Sequence, residues 1–346
     1  MALARRGELV GASIESADMR DADFRGCDLR RTNWMHAELS GARFDGALLT
    51  GARLVDGRLD GATFVGAHLA DAVLDGASLA GADLRQSNFT EATLVGADLR
   101  ACILGETMWM NVDFREAKLN GLDFRTSRVV CRSLAKAELL GARFRVADFS
   151  EADMRTVVMD ATTAFEQCSF ERADFSGVSL HDAALVRCRF AAANLTQADL
   201  SRCDLRQGNF DAALLVRARL LAVHGLRASF AKAIGPEADF SGAELEDTEF
   251  GGFDGPRANF TVARLQKARF THANLVGASL IGADLRYADF SHATLSAARL
   301  DAAKLDHANL HCVQLSGASL IGASQTGVRP TDGALLRAET FSTQGA

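Results

Sequence analysis

The chain has 346 residues, 48% of them apolar, with 30 Gly but only 3 Pro, and a formal net charge of −6. The apolar share can fill a core, unlike Gly-rich disordered chains, and the mild acidity is spread along the chain, so it forms neither a basic nucleic-acid surface nor an acidic tail. No run of about 18 apolar residues can span a membrane, Met1 to Val10 lack the apolar stretch of a signal peptide, and seven Cys without paired spacing fit a reducing cytoplasm better than a disulfide framework.

After a short lead-in, residues 1–6, every fifth residue is large and apolar: Leu9, Ile14, Met19, Phe24, Leu29, Trp34, Leu39 and Phe44. The run defines a first array, residues 7–160, ending at Met159. A one-residue slip in 161–165 follows, and a second array, 166–323, resumes through Phe170, Phe175 and Leu180 to Leu320. Of the 63 central positions, 60 are large and apolar, and 41 have Ala two residues upstream, so the consensus is A-(D/N)-(L/F)-x-x.

A period of five excludes both regular structures. On an α-helix, residues five apart sit roughly 140° apart around the axis. On a straight strand, an odd period sends successive centres to opposite faces. The chain must instead turn a corner once per repeat, always in the same sense, with each central side chain inward. Phe170, Phe190, Phe210, Phe230, Phe250, Phe270 and Phe290 recur every twenty residues. Like stacking on like predicts twenty-residue coils with four sides, hence about sixteen coils in all. Ala fits the second slot because so narrow a core has no room for two large side chains per side.

In chain order, the first departure lies within 102–132, where Cys102, Thr107, Val112, Leu122, Ser127 and Arg132 replace the usual Ala. Met108, Trp109, Met110 and Val130 fall on one side there and form a candidate partner patch, with Met108, Met110 and Val130 outward; a locally swollen core is the other reading. In the second array Gly225, Gly235 and Gly255 occupy centres that should be large. Gly235-Pro236 and Gly255-Pro256 lie one coil apart on a candidate irregular face. Phe253 and Val223 stand in the neighbouring small slots, so an exchange of large and small is expected rather than a loop or cleft. Beyond Leu320 the pattern fades, and Thr331-Asp332 predicts the start of a helix, Gly333 to Thr340, within a C-terminal cap and tail, 324–346. The first coil is expected to be open, a surface for a homodimer or another partner.

No catalytic constellation stands out. The Asp and Asn before the centres follow the repeat and are expected to serve backbone groups at the corners. Cys27, Cys102, Cys168, Cys188 and Cys203 take the Ala slot as small buried hydrophobes, whereas Cys131 and Cys312 are expected to be more accessible. His272, His292 and Cys312 are twenty residues apart and should form a column, with His311 adjacent. A column at strand spacing fits poorly around one tetrahedral ion, so no metal site is expected, nor any cofactor. A filled prism offers no catalytic pocket, so no enzyme is expected.

Repeats such as Ala82-Asp83-Leu84 and Ala97-Asp98-Leu99, sustained over about 7–323, resemble the pentapeptide repeat family. The resemblance implies an all-β fold, a right-handed quadrilateral β-helix. It also implies two functions: an interaction scaffold or adaptor, as in bacterial proteins associated with secretion machinery, or a DNA mimic that binds DNA gyrase, as in quinolone-resistance proteins. Mimicry needs an acidic stripe, yet Arg25, Arg43, Arg85, Arg125 and Arg143 interrupt the faces that carry Asp23 and Asp83. The scaffold is the expected function, binding protein and not nucleic acid directly.

Overall fold

In the computed structural model residues 9–343 are described; the lead-in, residues 1–6, and the last three residues of the tail lie outside them. The chain forms two compact units, one ending at Ser169 and one beginning at Phe170.

One repeat, Ala37-Glu38-Leu39-Ser40-Gly41, shows how the corners are made. The Leu39 amide donates to the carbonyl of Arg58 one coil on, at 2.7 Å, and the Glu38 amide donates to Ala17 one coil back, at 2.9 Å. The Ala42 amide closes a β-turn onto the Leu39 carbonyl at 3.0 Å, and Gly41 at its third position has φ +68°. Turns of this class require that left-handed residue, which is why Gly recurs at this place in the repeat. Arg31, with φ +58°, adopts the same geometry at greater steric cost.

The amide after the centre is left over by this ladder. Where Asp or Asn precedes the centre, its side chain accepts that amide: Arg25 to Asp23 at 3.1 Å, Thr90 to Asn88 at 2.9 Å. Elsewhere an Asp one coil back does so, as Asp75 does for Val95 at 3.0 Å. The consensus Asp/Asn thus satisfies a backbone donor that water would otherwise have to serve.

Parallel bridges link residues twenty apart, Ser13 to Asn33 and Asp174 to Asn194 among them, as a four-sided coil requires. In the first unit Phe24, Phe44 and Phe64 stack with ring centroids 5.2 and 4.9 Å apart. In the second, Phe170, Phe190, Phe210, Phe230, Phe250, Phe270 and Phe290 form the predicted ladder, with spacings of 4.7 to 5.1 Å. Centres such as Leu39 and slots such as Ala42 are fully buried together, so the coil interior is filled.

Among the described residues, four short strands interrupt the bridge pattern, all in the first unit: β1, Met108–Asp113; β2, Arg128–Ser133; β3, Arg143–Arg145; and β4, Ala164–Glu166. β1 and β2 pair in parallel with a register shift between Met110 and Val112. β3 pairs with β4 as Phe144 with Phe165, one residue beyond the usual spacing, which absorbs the slip. The Asp160 carboxylate organises the extra residue. It accepts the amides of Thr162 and Thr163 at 3.0 and 3.1 Å and the Thr162 hydroxyl at 2.7 Å, and the Thr162 hydroxyl holds its pKa below the ordinary value.

In the second unit a helix, α1, spans Gly333–Thr343, three residues longer than the sequence predicts. Asp332 caps it, accepting the Ala334 and Leu335 amides at 2.8 and 3.2 Å. Among the described residues, no helix is long and apolar enough to cross a membrane.

Candidate functional site

The predicted patch lies on β1 and β2. Their register sets Trp109 beside Val129 and Met110 beside Val130. Met108 is 39% exposed, and Met110 and Val130 are half-buried. Trp109 does not belong to the surface: it is fully buried, its ring 4.3 Å from Phe89 and nearly parallel to it. Strand alternation explains the correction, since Trp109 is a centre and its neighbours on either side point the other way. What remains outside is a small apolar surface.

The Gly–Pro stretch of the second unit is neither loop nor cleft. Gly235 and Gly255 are buried in the coil interior, and the Phe253 ring fills the volume that their side chains would have taken. A Cβ on Gly235 would come within 2.8 Å of Phe253 Cζ. Pro236 and Pro256 are half-buried, and their carbonyls accept the amides of Arg217 and Glu237, both at 3.0 Å, so the ladder continues through them. Large and small have exchanged places.

The charged surface is neutralised locally. Where Asp precedes the centre and Arg follows it, the guanidinium grips the same carboxylate that accepts its own amide. Asp23 with Arg25, Asp83 with Arg85 and Asp98 with Arg100 repeat this arrangement in the first unit, at 2.6 to 2.7 Å. In the second unit Asp204 with Arg206 and Asp284 with Arg286 do likewise. Other acids bridge coils, as Glu237 does between Arg217 and Arg257. The hydrogen bonds from Arg85 and Arg100 hold the Asp83 and Asp98 carboxyls below their ordinary pKa.

All seven Cys are free thiols. Cys131 is buried, not accessible as its position outside the Ala slot implied, because the shifted β1–β2 register turns it inward. Burial pushes the thiols of Cys102, Cys131 and Cys203 up to about 12. Cys312 is half-exposed. It lies beside the predicted histidine column, in which His272 and His292 stack at 4.8 Å, with His311 edge-on to His292 at 5.3 Å. The helix adds a residue that the sequence reading missed: Glu339 reaches both His292 and His311 at 3.3 Å. Nothing in the local sequence ties Glu339 to His292, 47 positions earlier; only the return of α1 does.

A family model described as pentapeptide repeats matches residues 17–128, 163–220 and 238–324. No curated protein matches the chain. A trypsin-treated form of QnrB1, a plasmid-mediated fluoroquinolone resistance protein, is 21% identical over 62% of this chain and 99% of that one, with a TM-score of 0.39. HetL, a pentapeptide repeat protein involved in heterocyst differentiation regulation in the cyanobacterium Nostoc, is 20% identical over 93% and 91%, with a TM-score of 0.21. A pentapeptide repeat protein of the Arabidopsis thaliana thylakoid lumen is 33% identical over 30% and 71%, also with a TM-score of 0.21. Superpositions this loose add nothing to the fold assignment, which rests on the repeat and its family model.

Proposed function

Because the chain belongs to the pentapeptide repeat family, whose fold is a right-handed quadrilateral β-helix, we propose that it is a non-catalytic scaffold that binds protein partners in a bacterial cytoplasm. One observation carries this reading: the coil interior is filled by paired centre and slot side chains, so the chemistry of the molecule lies on its outer faces. Those faces are ladders of self-neutralised Asp–Arg pairs with small apolar windows such as Met108. They favour recognition by shape and hydrogen bonding over long-range charge.

DNA mimicry is the competing function, and the same pairs weaken it. A duplex mimic needs unpaired carboxylates in a stripe, whereas Asp23, Asp83 and Asp98 each spend their charge on a neighbouring Arg.

The test is affinity capture from a bacterial lysate on the immobilised protein, with a Met108→Asp, Val130→Asp variant beside it, followed by supercoiling assays with purified gyrase. A specific partner, lost by the variant and without effect on gyrase, is the expected result. Salt-sensitive inhibition or protection of gyrase by wild type and variant alike would replace the scaffold with the mimic.

A further inference from the structure

The second unit holds a group of side chains that neither the repeat nor the scaffold uses. His292 Nε2, His311 Nε2, Cys312 Sγ and a Glu339 carboxylate oxygen all lie within 4.8 Å of one another. We propose that these four residues bind one zinc ion, which fastens α1 to the side of the coil.

The separations argue for it first. Glu339 Oε2 is 3.3 Å from His292 Nε2 and 3.3 Å from His311 Nε2, and Cys312 Sγ is 3.3 Å from His311 Nε2. Charge-assisted N–H···O bonds run at about 2.7–2.9 Å, so the two carboxylate contacts are long for hydrogen bonds. Ligands held about 2.0–2.3 Å from a tetrahedral ion are about 3.3–3.6 Å apart, and these three separations fall there, while the four atoms together lie within 4.8 Å.

The donor set argues next. Two imidazoles, a thiolate and a carboxylate suit a borderline-soft ion with no demand for oxygen, and exclude calcium and magnesium, which take oxygen ligands. The column of His272, His292 and Cys312 could not surround an ion alone. Glu339, brought by α1, reaches both imidazoles, and a cleft of about 740 Å³ lined in part by His272, Thr331 and Leu335 gives an ion its path in.

The helix itself supplies an independent argument. α1 has only 11 residues, marginal for a helix unaided, and its Leu335 and Leu336 are 47% and 38% exposed. Leu335 and Leu336 are thus only partly withdrawn from solvent. The polar contacts of Glu339, and of Asp332 with the 4%-exposed His311, join it to the coil.

His311 is the ligand that must change on loading. Its Nδ1 accepts the Asp332 amide at 3.0 Å, which places the proton of the neutral ring on Nε2. Coordination through Nε2 moves that proton to Nδ1 and breaks the hydrogen bond from the Asp332 N–H, so zinc exchanges one anchor of the first helical turn for a stronger one at Glu339.

Titration of the full chain with zinc alone, in competition with a chromophoric chelator, tests the site. The expected result is one ion per chain, with affinity reduced at least tenfold in His292→Ala, Cys312→Ser and Glu339→Gln and unchanged in His224→Ala, which lies on another part of the unit. Cobalt in place of zinc should give intense tetrahedral d–d bands and a thiolate charge-transfer band that Cys312→Ser abolishes. Zinc should also slow tryptic cleavage at Arg337, a reading of helix docking that a merely destabilised variant would not reproduce. Circular dichroism establishes that each variant is folded. No binding by the folded wild type, or binding that Cys312→Ser and Glu339→Gln leave untouched, would overturn the site.

Discussion

Trp34 Nε1 donates to Thr32 Oγ1 at 2.7 Å, and that hydroxyl donates in turn to the Leu29 carbonyl at 2.6 Å. Trp109 fills an equivalent centre, fully buried, but its indole N–H has no partner among the described residues. The two tryptophans bury the same bulk and differ in one hydrogen bond. Trp34→Phe should therefore destabilise the protein by roughly 1–2 kcal/mol more than Trp109→Phe, since the second substitution removes an unsatisfied donor. Urea denaturation of both variants measures the difference; equal losses would mean that the Thr32 contact contributes nothing.

Phe253 occupies an Ala slot only because Gly235 and Gly255 leave room for its ring. Gly255→Leu alone pushes a side chain into that ring and should cost at least about 1–3 kcal/mol through overpacking. Phe253→Ala alone opens a cavity at about 3–5 kcal/mol. The double variant Phe253→Ala, Gly255→Leu restores the consensus order and should lie much closer to wild type than the sum of the single losses. Additive losses in a double-mutant cycle would contradict the exchange.

The extra residue at the slip depends on Asp160. Asp160→Ala leaves the Thr162 amide without its acceptor and the Thr163 amide with the residue-160 carbonyl alone, and should destabilise the first unit by about 1–2 kcal/mol. Asp160→Asn keeps an acceptor oxygen and should cost less. If Asn proves as damaging as Ala, the charge rather than the cap holds the slip.

Stability should fall in acid, with a sign set by the Asp–Arg pairs. The folded-state pKa values of Asp83 and Asp98 lie below the ordinary carboxylate value of about 3.9, chiefly through hydrogen bonds from Arg85 and Arg100. A depressed carboxyl contributes stability that is present above the unfolded value and lost as pH falls through the folded one. The melting temperature is expected to hold from pH 7 to about 5 and to drop below about 4. Asp83→Asn, Asp98→Asn should melt lower at pH 7 and lose less on acidification. An acid profile identical to wild type would show these pairs to be energetically silent.

Much of this protein was legible before folding because a five-residue period leaves the backbone few choices. Leu39 and Phe44 had to point inward, Ala42 had to be small, and the Phe170 to Phe290 series had to stack, since each follows from one side chain per corner and one corner per repeat. The exchange of Gly255 with Phe253 was legible for the same reason: a narrow core conserves volume between adjacent slots. Periodicity says less where the register shifts. Cys131 read as accessible because the β1–β2 irregularity depends on how two coils pair and not on either alone, whereas Trp109, a centre ahead of the shift, keeps the inward direction of the repeat. The left-over amide that explains the consensus Asp emerges only from a full account of the ladder.

The sequence by itself determined the architecture, because a repeated local rule, applied in one sense, closes into a coil without information from afar. Only the tertiary structure decided what lies beyond the repeat. It brought Glu339 from α1 against His292 and His311, and it set Arg85 and Arg100 on the carboxylates that their own amides already use. Such encounters depend on where an aperiodic segment returns and which rotamer a surface side chain takes. A five-residue period encodes neither.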